Sequence, residues 1–265
     1  MARRAESSPM IGGSRRLGWP GGRRLRIPSL MYHRLTSHPD PHPCSMVLGQ
    51  FRSQLKILRA LGYRTVSPRD IARALRGGSP LPTRAISITF DDGYVDTFTA
   101  ALPILKEFGF TAVCYVVADR VGQLSDWTEP APLMGWPEIR EWLAAGMEVG
   151  SHSRTHRDLT VLSAVELQDE VAGSRKLLED RLGSTVPTFA YPFTVHGPRE
   201  REAVEAAGYE AGCAGVKLHD SIFALSRVEV AANSLSWFLI QLFPVYPELH
   251  HLYVLSRRRA PWLLP

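Results

Sequence analysis

The chain has 265 residues, 45% of them apolar, and a formal net charge of +5. That length and apolar share allow a full hydrophobic core in one or two domains, and one domain is the simpler reading. Cys44, Cys114 and Cys213 form an odd, widely spaced set without a Cys-x-x-Cys, which argues against a disulfide framework or a thiolate zinc site and fits reducing surroundings. The basic balance attracts anionic partners only non-specifically, and no run interleaves basic with aromatic residues as a nucleic-acid module does, so no nucleic acid is expected as a partner.

Residues 1–26 carry seven arginines among glycine, serine and proline, without the apolar stretch of an export signal, and read as a disordered basic leader. From there strand-like and helix-like segments alternate. A strand over 27–32 runs into His33, followed by a Pro-rich loop and a helix over 48–61. In that helix Phe51, Leu55, Leu58 and Leu61 recur as a core-facing stripe. A strand over 63–66, a helix over 68–75 stopped by Gly77 and Gly78, and a strand over 86–90 come next. Then follow a helix over 94–108, a strand over 112–117, a helix over 136–145 and a strand over 148–151. The pattern continues with a helix over 163–182, a strand over 189–192, a helix over 200–207 and a strand over 209–213. Within 221–230 a loop leads into a short final strand. This alternation predicts βα units around a largely parallel sheet, with sites at the ends of the strands.

Residues 231–265 make an apolar and basic extension. Its apolar run is broken by Pro244 and Pro247 and falls well short of the ~20 residues needed to span a bilayer. It reads either as a terminal helix packed on the domain or as an interfacial patch whose aromatics and arginines hold the protein on a membrane.

The chemistry concentrates in two segments. Ser87-Ile88-Thr89-Phe90-Asp91-Asp92-Gly93 places two carboxylates at the end of a strand, with a glycine where a turn can bring both into one pocket. Sixty residues on, His152 and His156 stand at i and i+4, a spacing that brings both to one ion if the segment makes a helical turn. Two imidazoles and a carboxylate hold a divalent cation with positions open for water and a carbonyl, and the second aspartate serves as base. Each segment also has a plainer reading: Asp-Asp-Gly as a surface turn, and the histidines as solvated side chains of a helix N-terminus.

Together the segments resemble the polysaccharide deacetylases of carbohydrate esterase family four, over about residues 27–230. Thr89 to Gly93 match the family's Thr-Phe-Asp-Asp-Gly motif and His152 to His156 its His-Ser/Thr-x-x-His motif. A third motif is present as Phe189-Ala190-Tyr191-Pro192-Phe193-Thr194, with Thr194 in place of the usual glycine and Ala190 in place of the usual arginine. The Tyr32-His33 ending before the aspartates resembles the circularly permuted poly-N-acetylglucosamine deacetylase branch.

The resemblance implies a single-domain, distorted (β/α)7 barrel. It implies Asp91 as general base, Asp92, His152 and His156 as metal ligands, Zn2+ as the default ion, and an oxyanion donor from the backbone near Tyr191. His33 is the favoured proton donor for the leaving amine, with His219 as the competitor. Arg227 either orients Asp91 or lies on the surface. The expected reaction is removal of the N-acetyl group from an N-acetylated amino sugar, in a glycan or on a lipid-linked or smaller conjugate, in the cytoplasm or at its membrane. The alternatives are hydrolysis of a non-sugar C–N bond, such as a ureide or formamide, and an inert carbohydrate-binding domain. In the 123–137 loop, Trp127 and Trp136 stack on a sugar or only pack the loop.

Overall fold

In a computed structural model, the fold is described for residues 27–40, 42, 44–216, 221–230, 235–243 and 246. The basic leader, His219 and most of the chain beyond 243 therefore lie outside the described residues. The fold opens with β1 (Ser29–Tyr32), β2 (Arg34–Thr36) and β3 (Ser45–Val47), then α1 (Leu48–Ala60), β4 (Arg64–Thr65), α2 (Pro68–Leu75) and β5 (Ala85–Phe90). A π-helical turn (Thr97–Ala101) leads into α3 (Leu102–Phe108), followed by β6 (Val113–Val116), α4 (Trp136–Ala144) and β7 (Glu148–Ser151). Next come α5 (Ala164–Gln168), a second π-helical turn (Asp169–Gly173), α6 (Ser174–Leu182), β8 (Thr188–Ala190), α7 (Pro198–Ala206) and β9 (Ala211–Ala214). β10 (Leu225–Ser226), β11 (Val228–Glu229) and α8 (Leu235–Gln241) end the described fold.

The strands pair in parallel in the order β10-β9-β8-β7-β6-β5-β1-β11, with β4 beside β5. β10 and β11 are separated by Arg227 alone; β10 pairs with β9, and β11 with β1. One short final segment thus joins the two ends of the sheet. Counting it as one stave gives seven: a nearly closed (β/α) barrel, as expected. β5 is buried at all of its positions, as a parallel strand covered on both faces must be. Gly150 in β7 is required by a close approach, because a Cβ there would overlap the Tyr115 ring.

Local signals set the helices. Ser67 caps α2 and forms a capping box with Asp70, and Pro68 occupies the first turn, where no N–H is needed. Phe51, Leu55 and Leu58 of α1 are fully buried, each contributing roughly 1.5–3 kcal/mol. Leu61 departs from the expected stripe and is exposed. The helix ends at Ala60, and the chain turns through Gly62 at φ +74° before a third turn of the stripe can form. The expected helices over 94–108 and 163–182 are each interrupted by a π-helical turn, and the expected Pro-rich loop contains the parallel pair β2 and β3.

α8 buries Phe238 and Gln241, with Leu242 and Tyr246 buried beyond it. The Gln241 amide donates to the Glu229 carbonyl at 3.3 Å, fastening the helix to the final strand. Leu235, Trp237, Leu239, Ile240 and Phe243 are exposed, at 37–60% of their surface. Among the described residues no helix is long and apolar enough to cross a membrane.

Candidate active site

Asp91 and Asp92 follow directly on β5. The Asp91 amide donates to the Tyr32 carbonyl at 2.9 Å, so the β1–β5 ladder runs one residue past the strand. The chain then turns through two left-handed residues, Asp92 (φ +73°) and Gly93 (φ +82°). Aspartate tolerates that region better than most residues and glycine freely. The turn expected at Gly93 therefore begins one residue earlier, and both carboxylates are buried.

His152 lies just after β7, its amide donating to the Val116 carbonyl at 2.9 Å. Its Nδ1 stands 2.9 Å from the Ala190 carbonyl oxygen, an acceptor only. The ring proton therefore belongs on Nδ1, which leaves the Nε2 lone pair facing Asp92. His156 reaches the same point by a loop and not by the helical turn anticipated from the i, i+4 spacing. Ser153 (φ +63°) and His156 (φ +64°) are both left-handed, and the Ser153 hydroxyl accepts from the His156 amide at 3.0 Å. Glu170, buried in the second π-helical turn, fixes this loop by accepting from the Arg154 and Thr155 amides at 2.9 Å each and from the Thr155 hydroxyl. Neither histidine is solvated.

Asp92 Oδ1 lies 3.3 Å from Nε2 of both histidines. It is buried without a hydrogen-bond partner. With the imidazoles neutral, three lone-pair donors converge on one point, an arrangement that a divalent cation satisfies. The residues present thus fit the metal that the donor set implies. Burial pushes the Asp92 carboxyl up, but the adjacent His152 and His156 rings, with the charge of His33, outweigh it and hold the group well below the usual carboxylate range. Burial depresses His152, and the Asp91 and Asp92 charges more than compensate; at His156 burial prevails.

Asp91 is gripped by Arg227 in a two-pronged pair, Nη1 to Oδ1 at 2.6 Å and Nη2 to Oδ2 at 2.7 Å. Arg227 is fully buried, so the surface alternative for it is excluded. Standing between β10 and β11 where the barrel closes, it also donates to the Thr89 hydroxyl at 3.1 Å and the Ala214 carbonyl at 3.3 Å, over the Tyr115 ring. Burial pushes Asp91 up, but the Arg227 charge, with His152 and His33, brings it below the usual range, so the carboxyl is ionised at neutral pH. Position 190, where the motif usually has its arginine, supplies only the carbonyl that orients His152.

His33 is half-buried in the turn between β1 and β2 and acts electrostatically on both aspartates. Its donor atom, with those of Cys44 and Glu229, forms a second cluster whose members all lie within 4.8 Å of one another. His219 lies outside the described residues. Tyr191 requires a correction: its amide donates to the Cys213 carbonyl at 3.1 Å and its hydroxyl to the Phe223 carbonyl at 2.8 Å, so it is not itself the oxyanion donor. Thr194 adopts φ +58°, the region a glycine would occupy without strain, and Phe193 adopts φ +55°. Trp127 stacks on the His156 ring at 4.2 Å and Phe193 meets the same ring edge-on at 4.7 Å, whereas Trp136 packs on the core beneath Arg181. Three residues around the site carried no sequence signal. Glu170 sits inside a helical pattern, and Cys44 and Glu229 are 185 positions apart.

The polysaccharide deacetylase family model matches residues 78–212. A Bacillus subtilis (strain 168) protein, YxkH, whose name places it among the polysaccharide deacetylases, is 28% identical over 78% of this chain and 72% of its own. The poly-beta-1,6-N-acetyl-D-glucosamine N-deacetylase of Escherichia coli (strain K12) is 44% identical over 33% of this chain, a stretch that is 13% of that protein. Among solved structures, the Streptococcus pyogenes deacetylase PplD in complex with acetate superposes with a TM-score of 0.74 at 23% identity, over 83% of this chain and 99% of its own. IcaB from Ammonifex degensii does so with a TM-score of 0.67 at 24% identity, over 84% of this chain and 97% of its own. The barrel, the paired aspartates after β5 and the family match together place this chain in the polysaccharide deacetylase family.

Proposed function

We propose that the protein removes the N-acetyl group from an N-acetylated amino sugar of a glycan or glycoconjugate, with poly-β-1,6-linked N-acetylglucosamine as the first substrate to try. The observation that carries this is the ionised, Arg227-held Asp91 beside the convergent Asp92, His152 and His156, with His33 close enough to act on both aspartates. When bound by Asp92, His152 and His156, a divalent cation, zinc by default, supplies Lewis acidity to the acyl oxygen and acidity to water.

Asp91 takes one proton from the attacking water as its oxygen bonds to the acyl carbon. Arg227, occupying both carboxylate oxygens, fixes the direction of the lone pairs that accept it. In the 192–194 turn Pro192 has no amide and Thr194 donates to the Tyr191 carbonyl at 3.0 Å, so the Phe193 N–H is the remaining donor for the oxyanion. The C–N bond then breaks as a ring nitrogen of His33 gives its proton to the leaving amine, yielding acetate and the free amino sugar. Trp127 and Phe193 flank His156 and offer apolar faces to a sugar ring.

The same reading includes a reducing, cytoplasmic setting, supported by an odd and widely spaced set of three cysteines, and peripheral membrane contact through the exposed apolar residues of α8. The test is acetate release from N-acetylglucosamine oligomers, free and lipid-linked, by metal-loaded protein and by an Asp91→Asn variant. Acetate from the wild type, reduced about 10²- to 10⁴-fold in the variant, is expected. No acetate from any sugar, with release from a ureide or formamide, transfers the same residues to a non-sugar substrate.

A further inference from the structure

We propose that His33, Cys44 and Glu229 form a second, exchangeable divalent-cation site in the same cleft, selective for borderline-soft ions such as Zn2+ or Co2+, and that filling it withdraws His33 from proton donation. The inhibitory part rests on the reading of His33 as proton donor; the binding part does not.

The geometry points to this cluster for three reasons. One imidazole nitrogen, the thiol sulfur and one carboxylate oxygen lie within 4.8 Å of one another, close enough to share an ion after small side-chain rotations. This nitrogen, sulfur and oxygen set is one that zinc and cobalt accept, while magnesium and calcium prefer oxygen alone. The Cys44 Sγ already donates to Glu229 Oε1 at 3.1 Å, so two of the three donors face each other.

The backbone holds the three in place from separate staves. Arg34 and Ser45 are partners in the β2–β3 ladder, which sets His33 and Cys44, the residues just before them, side by side. Glu229 is the ladder partner of Met31, and the Val230 amide donates to the Met31 carbonyl at 3.0 Å, so β11 carries its carboxylate to the same end of β1. The site is also electronegative: the charges of Glu229, Asp92 and Asp91 all act on the Cys44 sulfur. Binding forms a metal–sulfur bond and releases the thiol proton to solvent, the nitrogen and oxygen ligands needing no exchange of protons when His33 is neutral. The half-exposed setting makes this the weaker of the two sites, since the ligands of the other are all buried, and it fills only when metal exceeds one equivalent.

Full-length protein carrying one equivalent of Co2+ is titrated with a second equivalent and watched for thiolate-to-cobalt charge-transfer absorption in the near ultraviolet. The band is expected to grow only with the second equivalent, to be lost in Cys44→Ser, and to survive in Asp92→Ala, which lacks a ligand of the first site. Cys114 and Cys213 remain in Cys44→Ser, so a band that persists there overturns the proposal, as does no band in the wild type. A Glu229→Gln variant, with the thiol intact, is expected to weaken the second binding step by more than roughly ten-fold, a loss already seen when only an outer-shell partner is removed.

Acetate release is measured separately, each variant against its own rate at one equivalent of zinc. Wild type is expected to lose most of its rate in excess zinc, with the inhibition shifted at least ten-fold higher in Cys44→Ser. A cobalt band without acetate release from any sugar upholds the binding site and removes the deacetylase reading. Acetate release that excess zinc leaves unchanged, with no band, does the reverse.

Discussion

At the residue scale the most informative contact is between Arg227 and Asp91. A guanidinium and a carboxylate that are both almost fully buried contribute little net stability, because their desolvation offsets their attraction. What the pair supplies is direction: two parallel hydrogen bonds leave the carboxylate one orientation. Arg227→Lys keeps the charge and loses the fork. We expect kcat for acetate release to fall roughly 10²-fold, the scale of a small misplacement of a catalytic group, with KM within about two-fold. A rise in KM with kcat preserved would show that the arginine serves substrate binding instead. Asp96 lies outside this machinery and makes a separate, pH-dependent prediction. One of its oxygens is buried without a partner, and burial raises its carboxyl from the usual 3.8 to about 7, against the amide of Leu35 and the charge of Arg34. The folded state then binds more protons than the unfolded one, so stability is present below pH 3.8 and lost as pH rises toward 7. Asp96→Asn retains an acceptor for the Leu35 amide and removes the charge. It should match the wild type at pH 4 and exceed it at pH 8 by about 2 kcal/mol, a discounted share of the roughly 4 kcal/mol that the whole rise represents. Urea titrations at both pH values measure the difference, and an equal gain at pH 4 would assign it to packing.

At the element scale, the five non-glycine residues with positive φ among the described residues, Asp92, Ser153, His156, Phe193 and Thr194, all lie in the loops that follow β5, β7 and β8. Local backbone strain is concentrated where side chains must converge. Thr194 carries it least comfortably, being β-branched at φ +58°. Thr194→Gly relieves ~1–2 kcal/mol of left-handed strain and costs ~0.5–1 kcal/mol of backbone entropy. A net gain of about 0.5–1 kcal/mol in chemical denaturation is expected, and a loss would mean that the Thr194 packing against Gly215 outweighs the strain. The elements that were legible in the sequence are those whose signals are local: the apolar run of β5, the capping box of α2, and the Asp-Asp-Gly and His-x-x-x-His motifs. β2 and β3 were not, since three-residue strands in a Pro-rich stretch leave no period to read. The π-helical turns preserve a helical pattern of residue types while shifting its phase. Arg227 was open because its partner is 136 positions away, and nothing in the two-residue strands on either side of it marks an inward side chain.

At the scale of the whole molecule, the site exists only when the barrel closes. Its residues come from the ends of β1, β5, β7 and β8 and from the final segment, whose β10 and β11 complete the ring at Arg227. Three lone-pair donors at Asp92, His152 and His156 then face one another at a cost that a cation removes, so the bound ion should stabilise the closed barrel and not merely activate it. Free metal at 100 times its dissociation constant adds about 2.7 kcal/mol to the folded state, and in a chain of this size each kcal/mol moves the melting temperature by about 2–4 °C. Chelation should therefore lower the melting temperature by roughly 5–10 °C, and restoring one equivalent of zinc should recover it. In Asp92→Ala the chelator should have little effect, because the variant has already lost both the ligand and the convergence it causes. If wild type and variant shift equally on chelation, the stabilising ion sits elsewhere, and the second cluster at His33, Cys44 and Glu229 is the next place to look, with Cys44→Ser as the deciding melt.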